Sequence, residues 1–460
     1  MPGYYMENFG CRATQADAAA IEHQLMAHGL EPAAPDGAEL VIVNTCTVTA
    51  SADSQARQAI RALHQRNPTA RILVTGCYAQ RAPEELAELD GVRWVVGNAY
   101  QHEIAALAAP ANGEVAPPSR SSGGFVPLAE LQPKPSRASI LAGVLPERMP
   151  VMVGPAGPRA PGRTQTRPTL KIQDGCNHRC AYCVIPQVRG RSRSLELEHV
   201  VREITRLVSA GAREVVLSGI DLGSYGRDLA PRGSLADLLA LVLRRTGLER
   251  LRLSSLEPMQ LAADLIDAIA SSDRVAPHFH VPLDSGSDRI LRAMHRWYHA
   301  ELYARRIELV TERMPDAAIG ADVIAGFPGE TESDHRATVE LARRLPFSYL
   351  HVFSFSARPG TEAARLPGQV EGGVIRERAR ELRALAAEKA AEFRSRQNGR
   401  VVQALTLKTR HGGSTDALTG NYLTARVPGH WPSNQWLTVR LDSSLDGLIG
   451  LPVFPALASS

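Results

Sequence analysis

Residues 171–194 read KIQDGCNHRCAYCVIPQVRGRSRS, and the cysteines in this stretch, Cys176, Cys180 and Cys183, follow one another as C-x3-C-x2-C. Three thiolates at this spacing can hold three irons of a cubane iron–sulfur cluster, which leaves the fourth iron open to a small molecule. Structural zinc sites use four ligands in paired C-x2-C units, and thioredoxin-type redox sites use a single C-x2-C. The spacing therefore favours a 4Fe-4S cluster with one open iron over a zinc site or a disulfide.

The sequence around this stretch predicts the fold of residues 168–396. Six apolar strand patterns alternate there with helical ones, beginning with TLKIQDG and ending with YLHVFSFS. Such β/α units predict an incomplete (β/α)6 barrel with its chemistry at the C-terminal ends of the strands. The three cysteines follow the first strand and are called the barrel triplet below. Polar residues and glycines follow the other strands, and although each alone is equally typical of a turn, together they ring one face. They include Ser218, Gly219, Glu257, His280, Asp284 and residues 326–330.

Residues 1–109 carry a second alternation of strands and helices, which predicts a parallel sheet with helices on both faces. Three of these strands end in a cysteine, in NFGCR, VNTCTVT and VTGCYAQ. In an open parallel sheet, the loops after the strands emerge at one edge, where ligands usually bind. A lone cysteine is usually a small buried hydrophobe, but three at equivalent positions predict a second cluster with three protein ligands. These residues, the N-terminal triplet, are Cys11, Cys46 and Cys77.

The remaining segments differ sharply in composition. Residues 110–167 are rich in Pro, Gly, Ala and Ser without a sustained period apart from a faint apolar stretch near 138–145, which predicts a partly disordered linker. Residues 376–400 predict a long helix with eight basic and four acidic side chains, an excess equal to the net charge of +4 of the whole chain. Such a helix is either a solvated face or a surface for an anionic partner. Short alternating runs in 397–460 predict a small all-β barrel, a common nucleic-acid platform.

Length and composition exclude several classes of protein. A chain of 460 residues is long enough for two or three domains. It contains no run of eighteen apolar residues, and its N-terminus MPGYYMENFGCR lacks the basic start and apolar run of a signal peptide. We therefore expect a cytoplasmic protein without membrane association, in which six cysteines serve as thiolate ligands rather than disulfides.

Two cysteine triplets, a β/α barrel and a terminal β module together make the chain resemble the methylthiotransferases of the radical S-adenosylmethionine (SAM) superfamily. The resemblance covers nearly everything except the linker, and it implies that the terminal barrel is a TRAM-like RNA-binding domain. Within the family, NTCTVT, VTGCYAQ and LKIQDGCNHRCAYCVIPQVRGRSRS resemble the branch that acts on threonylcarbamoyladenosine in tRNA. Other branches act on isopentenyladenosine in tRNA or on a ribosomal-protein aspartate.

The resemblance implies two 4Fe-4S clusters and SAM as cofactors. The barrel triplet would hold the cluster whose open iron is chelated by SAM, and reductive cleavage of SAM would supply a radical able to attack an unactivated aromatic C–H. The N-terminal triplet would hold the cluster that carries the sulfur to be transferred. Transferred position by position, the resemblance also implies SAM contacts from Tyr182, Ser218, Gly219, Glu257, Asp322 and Gly326.

The substrate implied by the resemblance is a tRNA anticodon stem-loop, recognised by a splayed-out base rather than through an A-form groove. Arg189, Arg191 and Arg193 follow the cluster loop, where they can meet phosphate oxygens, reach the other cluster or form surface ion pairs. Arg394 and Arg396 on the basic helix are further candidates for RNA contacts. We also expect an electron donor such as flavodoxin or ferredoxin, and a monomer.

Two departures from the family pattern bear on how the sulfur donor and the substrate are held. Thr14 stands where the family commonly has Asn, and Asp284 stands in PLDSG where it commonly has Gln. Two other classes of function remain open on the sequence. An iron–sulfur redox protein would not cleave SAM, and an RNA-binding module with a structural cluster would leave the bases of its tRNA unmodified.

Overall fold

The structure is a computed structural model that describes residues 2–108, 138–143, 145–146, 149–153, 166–444 and 447–454. Two compact units share the chain. The first contains the described residues up to 153 together with Asp174–His178 and Cys183–Arg193. The second contains the described residues from 166 to Gln173, then Arg179–Tyr182, and the described residues from Ser194 onward.

The first unit is built on a parallel β-sheet. Its strands are β1 (Gly3–Asn8), β2 (Glu31–Pro32), β3 (Leu40–Thr45), β4 (Arg71–Gly76), β5 (Val92–Val96) and β6 (Ser139–Leu141). They pair in the order β2-β1-β3-β4-β5-β6. The helices of the sheet are α1 (Arg12–Ala27), α2 (Ala50–Arg66), α3 (Cys77–Arg81), α4 (Pro83–Ala87) and α5 (Ile104–Ala108).

Both faces of this sheet are covered, as the sequence predicts. All six residues of β3, LVIVNT, are buried, which is typical of a parallel strand between two layers of helices. Separate hydrophobic clusters pack on the two faces, one including Ile42 and the other including Val41 and Val43. The strand order reverses between β1 and β3, and ligands bind at such a switch point in open α/β sheets.

The prediction of a plain linker over 110–167 is wrong for its described part. Ser139–Leu141 pairs in parallel with β5 and forms the sixth strand, at the edge of the sheet. Met149 and Met152 are also buried, the latter in the core of this unit. A strand of three residues is too short to show an alternating pattern, so the linker-like composition of the whole segment decided the prediction. The rest of the predicted linker lies outside the described residues.

The second unit contains the predicted barrel of parallel strands. The barrel begins with β7 (Thr169–Lys171). The cysteine stretch, which the two units share, then adds only β8 (Gln173–Asp174), α6 (Ile185–Arg189) and β9 (Arg193–Ser194), and α6 belongs to the first unit. The remaining barrel strands are β10 (Glu214–Ser218), β11 (Arg250–Leu253), β12 (His278–His280), β13 (Ala318–Ala325) and β14 (Tyr349–Ser354). The helices are α7 (Leu197–Ser209), α8 (Leu235–Arg245), α9 (Ala263–Ala270), α10 (Asp288–Ala293), α11 (Ala300–Arg313), α12 (Glu332–Arg344) and α13 (Gly372–Arg396).

The six barrel strands pair as two parallel sheets, β7-β10-β11 and β12-β13-β14. Parallel bridges between Leu251 and Val275 and between Ser255 and His280 join the two sheets. This arrangement confirms the incomplete (β/α)6 barrel. Polar residues that follow the strands therefore share the C-terminal rim of the barrel.

A small β-barrel completes the chain, as predicted for its C-terminal part. It consists of β15 (Val401–His411), β16 (Ser414–Thr419), β17 (Thr424–Pro428), β18 (Trp436–Ser444) and β19 (Gly447–Pro452). The strands close in the order β15-β16-β17-β19-β18 around a core that includes Ala417, Val427 and Leu441. No helix among the described residues combines the length and apolarity that crossing a bilayer requires.

Candidate metal centres and active site

The sheet topology brings the N-terminal triplet together. Cys11 follows β1, Cys46 follows β3, and Cys77 begins α3 directly after β4, so all three stand at the carboxyl edge of neighbouring strands. The turn before Cys11 requires glycine because Gly10 has φ +106° and a Cβ there would lie 3.2 Å from the Cys46 sulfur. All six cysteines of the chain lie in the described residues, and none of them forms a disulfide.

Burial and mutual proximity both act on the thiols of the N-terminal triplet. Burial, and then the proximity of Cys77 and Cys11, raises the pKa of Cys46 to about 12. Burial also raises the pKa of Cys77 above that of an ordinary thiol. Such thiols do not ionise alone, but metal ions deprotonate coordinating thiols outright. Three adjacent cysteines therefore fit a cluster that takes three protein ligands.

Arg189 lies beside Cys77 in the same unit. It is 1% exposed, and its Nε donates a hydrogen bond to the Cys77 sulfur at 3.2 Å. Its guanidinium also pairs with Asp17 at 2.9 Å and with Asp174 at 3.1 Å. The prediction that Arg189 contacts RNA phosphates is wrong, because solvent and RNA cannot reach a side chain so deeply buried. Arg189 does contact a residue of the N-terminal triplet, and the alternative prediction, that this arginine reaches the other cluster, stays a prediction.

Two further polar residues shape the same edge. Asn98 directs its side-chain amide toward the Cys77 sulfur at 3.8 Å and toward the carbonyl of Val188 at 2.8 Å. The Thr14 hydroxyl donates toward the carbonyls of Cys11 at 2.7 Å and Phe9 at 3.0 Å. Thr14, a departure from the family pattern, thus fixes the backbone of the cysteine loop.

The barrel triplet lies in one continuous loop after β8, and each of its sulfurs accepts an N–H hydrogen bond. The backbone N–H of His178 lies 3.4 Å from the Cys176 sulfur, and that of Ile185 lies 3.5 Å from the Cys183 sulfur. Arg296 reaches the Cys180 sulfur at 3.4 Å. N–H donors to sulfur stabilise thiolate ligands and tune cluster potentials, so these residues also fit an iron–sulfur cluster.

A network of ionisable side chains surrounds Cys180 in the second unit. Arg296 pairs with Asp284 at 2.9 Å and with Glu257 at 2.5 Å, and the Tyr182 hydroxyl donates to Asp284 at 2.7 Å. Burial raises the pKa of Asp284, whereas Arg296 and Tyr182 oppose that shift. Two of the predicted SAM contacts, Tyr182 and Glu257, are thereby linked through Arg296 and Asp284.

The predicted glycine contacts stand on the barrel rim. Gly219 follows β10, and its N–H points to Ser254 at 3.4 Å, while Ser218 before it is buried at the end of the strand. Gly326 has φ +80°, and a Cβ there would lie 2.4 Å from Ile375. Its N–H donates to the Glu330 carboxylate at 2.8 Å. The GFPGE loop is thus held by its own acidic residue.

Asp322, the remaining predicted SAM contact, has a different environment from the others. It accepts from His280 at 3.0 Å and from His351 at 3.1 Å. Burial opposes ionisation of Asp322, yet the hydrogen bonds from the two imidazoles lower its pKa below the usual range. Asp322 lies two residues before Ile324, which packs in the cluster that includes Tyr182.

The other arginines predicted to contact RNA are less buried than Arg189. Arg191 is exposed, and Arg193 is half-buried, with its guanidinium on Asp174 at 3.1 Å and on the carbonyl of Arg189 at 2.7 Å. At the end of α13, Arg394 is half-buried and Arg396 is exposed, with its guanidinium over the Phe393 ring.

Sequence reasoning missed Arg296 and Asn98 as members of these sites. Arg296 follows α10 in AMHRWY, where nothing in the sequence distinguishes it from a surface arginine. Asn98 begins a short 3-10 helix after β5 and therefore stands at the same sheet edge as the cysteines. That position after a parallel strand is the signal that could have identified it.

Comparisons with known proteins agree with this geometry. Residues 3–97 match the model of uncharacterized protein family UPF0004, and residues 170–342 match the radical SAM superfamily. The chain is 35% identical over 92% of its length to the threonylcarbamoyladenosine tRNA methylthiotransferase MtaB of Aquifex aeolicus, covering 96% of that protein. It is also 35% identical, over 92% of its length and 81% of the relative, to the tRNA-2-methylthio-N(6)-dimethylallyladenosine synthase of Mycobacteroides abscessus.

A solved structure shares the fold at lower sequence similarity. The radical SAM methyltransferase TsrM of Kitasatospora setae, with cobalamin and a 4Fe-4S cluster bound, aligns with a TM-score of 0.53 and 18% identity. The alignment covers 79% of this chain and 77% of TsrM.

Proposed function

Because the chain belongs to the radical SAM tRNA methylthiotransferases, we propose that it converts N6-threonylcarbamoyladenosine in tRNA to its 2-methylthio derivative. The observation that carries this substrate is the match to the Aquifex aeolicus enzyme, which extends over 92% of this chain and 96% of the relative. The reaction replaces an aromatic C–H by C–S–CH3 on the adenine ring.

The residues divide the work between two sites. When bound, SAM and the clusters supply reductive radical chemistry, sulfur and a methyl group. Cys176, Cys180 and Cys183 would hold the cluster that binds SAM, and Cys11, Cys46 and Cys77 would hold the other cluster. Cys46 and Cys77 are buried and Cys11 is exposed, so a cluster held by these residues would be shielded on the side of Cys46 and Cys77 and open to a ligand on the side of Cys11.

The side chains near Cys180 position SAM in this proposal. The carboxylates of Glu257 and Asp284 would contact SAM, and the guanidinium of Arg296 holds both of them in fixed orientations. The Tyr182 hydroxyl fixes the other face of Asp284. Ser218, Gly219 and Gly326 would bring the barrel rim close to the ligand, because glycine allows close approach of backbone.

We assign the contacts with the tRNA backbone to Arg191, Arg193, Arg394 and Arg396. The C-terminal barrel would be the platform on which the anticodon stem-loop docks. A flavodoxin or ferredoxin would supply the electron that reductive cleavage requires. A radical mechanism needs one electron from such a donor because none of the protein side chains is a reductant of sufficiently low potential.

A second candidate substrate is isopentenyladenosine, since the Mycobacteroides abscessus relative is equally similar in sequence. The two substrates differ in polarity, because threonylcarbamoyl carries a carboxylate and a hydroxyl whereas isopentenyl is purely apolar. Polar side chains, Asp322, His280 and His351, line the strand face next to Ile324 and Tyr182. A threonylcarbamoyl group can hydrogen-bond to these side chains whereas an isopentenyl group cannot, which favours the polar substrate.

Mass spectrometry of tRNA nucleosides tests the choice directly. Cells lacking this gene should lose 2-methylthio-threonylcarbamoyladenosine and retain its unmethylthiolated precursor, and the intact gene should restore it. Loss of the isopentenyl derivative instead would assign the chain to the second substrate. An unchanged nucleoside profile would contradict both proposals.

A further inference from the structure

We propose that His280, Asp322 and His351 form a binding site for a divalent transition-metal ion, distinct from both cysteine triplets. One potential ligand atom from each residue lies within 4.8 Å of the other two. His280 Nε2 is 3.0 Å and His351 Nδ1 is 3.1 Å from the same carboxylate oxygen, Asp322 Oδ1. Two imidazoles and one carboxylate converging on a single point form the donor set of facial-triad metal sites.

The spacing of these atoms matches what an ion would require. Imidazole nitrogens and carboxylate oxygens bind such ions at about 2.0–2.2 Å, so neighbouring ligands in a coordination sphere lie roughly 3 Å apart. The distances from Asp322 to both histidines are already of that size. An ion could therefore enter with small side-chain rotations, and β12, β13 and β14 hold the three ligands on adjacent strands.

A second layer of side chains orients His280 as metal-binding histidines are oriented. The Tyr349 hydroxyl lies 3.1 Å from His280 Nδ1, the nitrogen that does not face Asp322. The same hydroxyl lies 2.8 Å from His278 Nε2. Holding one ring nitrogen fixes the tautomer and presents the other to the ion, an arrangement typical of ligating histidines.

The site is accessible and leaves room for further ligands. The side chains of His280, Asp322 and His351 are 12%, 28% and 56% exposed, so an ion could reach the triad past His351. Three protein ligands leave coordination positions for water or for an anionic group of a ligand. Imidazole and carboxylate donors without a thiolate suit Zn²⁺, Fe²⁺ and Mn²⁺ rather than Cu⁺.

A titration with Mn²⁺ alone tests the proposal, because bound Mn²⁺ loses the sharp electron paramagnetic resonance signal of the free ion. The full-length, anaerobically reconstituted enzyme is treated with chelator, desalted and titrated without tRNA or SAM, so the result does not depend on the proposed function. We expect one Mn²⁺ site per chain, which Zn²⁺ displaces. His280→Gln and His351→Gln should each weaken it by at least about tenfold, and Tyr349→Phe by about 10-fold.

The matched control is His199→Gln, a half-exposed histidine on α7 that also faces a carboxylate, Glu203 at 3.7 Å. It should bind Mn²⁺ as the wild type does. A wild type that leaves the signal of millimolar Mn²⁺ unchanged would overturn the proposal, as would unaltered binding in both ligand variants. Either result would leave the three residues as a hydrogen-bonded triad. Because His351 is more than half exposed, its replacement should not unfold the barrel.

Discussion

At the scale of single residues, Arg189 joins partners from three separate parts of the chain. It holds two carboxylates and one sulfur while almost completely buried. Removing one partner of a buried ion pair typically costs about 3–5 kcal/mol, because the remaining charges stay in a medium of low polarity. The three donors of a planar guanidinium fork reach three acceptors at once, and a lysine ammonium cannot reproduce that geometry.

We therefore expect Arg189→Lys to lower the reduction potential of the cluster held by the N-terminal triplet. The hydrogen bond from Nε to Cys77 stabilises the negative charge added on reduction, and the substitution keeps the charge while losing that bond. The potential is measured by redox titration in a variant with Ala at Cys176, Cys180 and Cys183. The free energy of unfolding should also fall by about 1–3 kcal/mol, because the two carboxylates would be poorly paired.

Arg191→Lys is the matched control for Arg189→Lys, since Arg191 is two positions away and exposed. It should change neither the potential nor the stability. If Arg189→Lys also left both unchanged, the hydrogen bond to Cys77 would have no role in the cluster.

Residue types and spacings predicted the cysteines but not their surroundings. Cys11, Cys46 and Cys77 could be placed at one edge because parallel strands share direction, whatever their length. The burial of Arg189 could not be predicted, because the sequence VRGRSRS is equally compatible with three exposed arginines. Its partner Asp17 lies far away in sequence, on α1, and only the folded sheet brings the two together.

At the scale of secondary-structure elements, Glu214 connects the two barrels of the second unit. This residue of β10 is buried and pairs with Arg250 at 2.6 Å and Arg252 at 2.8 Å on β11. The same arginines donate to carbonyls of Leu418, Thr419 and Gly420 at the end of β16. The pattern ERLRLSS predicts a strand, but the partners of its two arginines could not be predicted.

Glu214 also predicts how stability depends on pH. Burial opposes its ionisation, but Arg252 and Arg250 outweigh burial and lower its pKa to about 2. A carboxyl group with a lowered folded-state pKa stabilises the protein above the unfolded-state pKa. We expect this contribution, about 3 kcal/mol, to be complete above about pH 4.5 and to be lost as the pH falls toward about 2.

The test compares urea unfolding of wild type and Glu214→Gln at several pH values. The variant should be less stable at pH 7 by about 3–5 kcal/mol, because two arginines lose their partner, and the difference should shrink below about pH 4.5. Glu198→Gln, which removes an exposed carboxylate paired with Arg245, serves as control and should change little. A difference that is independent of pH would contradict the role of the Glu214 charge.

Helix α13 shows why charge counting alone is an incomplete guide. The predicted basic helix exists, but Arg378 is buried against Glu330 at 2.8 Å, and Lys389 is buried with its ammonium on the carbonyl of Arg343. These charges serve the fold of the barrel. The positive charge available to an anionic partner is therefore smaller than the sequence suggests. Arg394 and Arg396 at the C-terminal end of the helix remain candidates for RNA contacts.

Reversing Arg394 and Arg396 to Glu should weaken the binding of cognate and non-cognate tRNA by similar factors. Each phosphate contact that is lost should also reduce the dependence of log affinity on log salt by about 0.7–0.9, because fewer counterions are released. The measurement is a salt titration of tRNA affinity by fluorescence anisotropy. Reductive SAM cleavage without tRNA should stay near the wild-type rate.

A double reversal of Arg380 and Arg383, exposed residues of the same helix, changes the charge by the same amount. It should leave the salt dependence unchanged if contacts are confined to the end of α13. Equal effects in both double variants would indicate a general attraction by net charge. No effect in either would make Arg191 and Arg193 the better candidates.

At the scale of the whole molecule, the two cysteine triplets are built from different kinds of structure. The N-terminal triplet is assembled from three separate loops at the edge of one sheet, whereas the barrel triplet lies in a single loop. A loop with closely spaced ligands can hold a cluster without distant parts of the chain, so we expect the clusters to load independently. This difference was visible in the sequence, because spacing within a loop and position after strands are both local signals.

The final prediction separates the roles of the two sites. Anaerobically reconstituted wild type should contain about eight irons per chain, and the triple Ala variant at Cys176, Cys180 and Cys183 about half of that. Cys46→Ala should still cleave SAM reductively to 5′-deoxyadenosine, because the barrel triplet remains, but it should form no methylthiolated tRNA. The triple variant should lose both activities.

Iron content, 5′-deoxyadenosine and modified nucleosides are measured on the same preparations, and circular dichroism verifies folding. If a folded Cys46→Ala variant failed to cleave SAM, the two sites would not have separate roles, and the N-terminal triplet would have to act before radical formation.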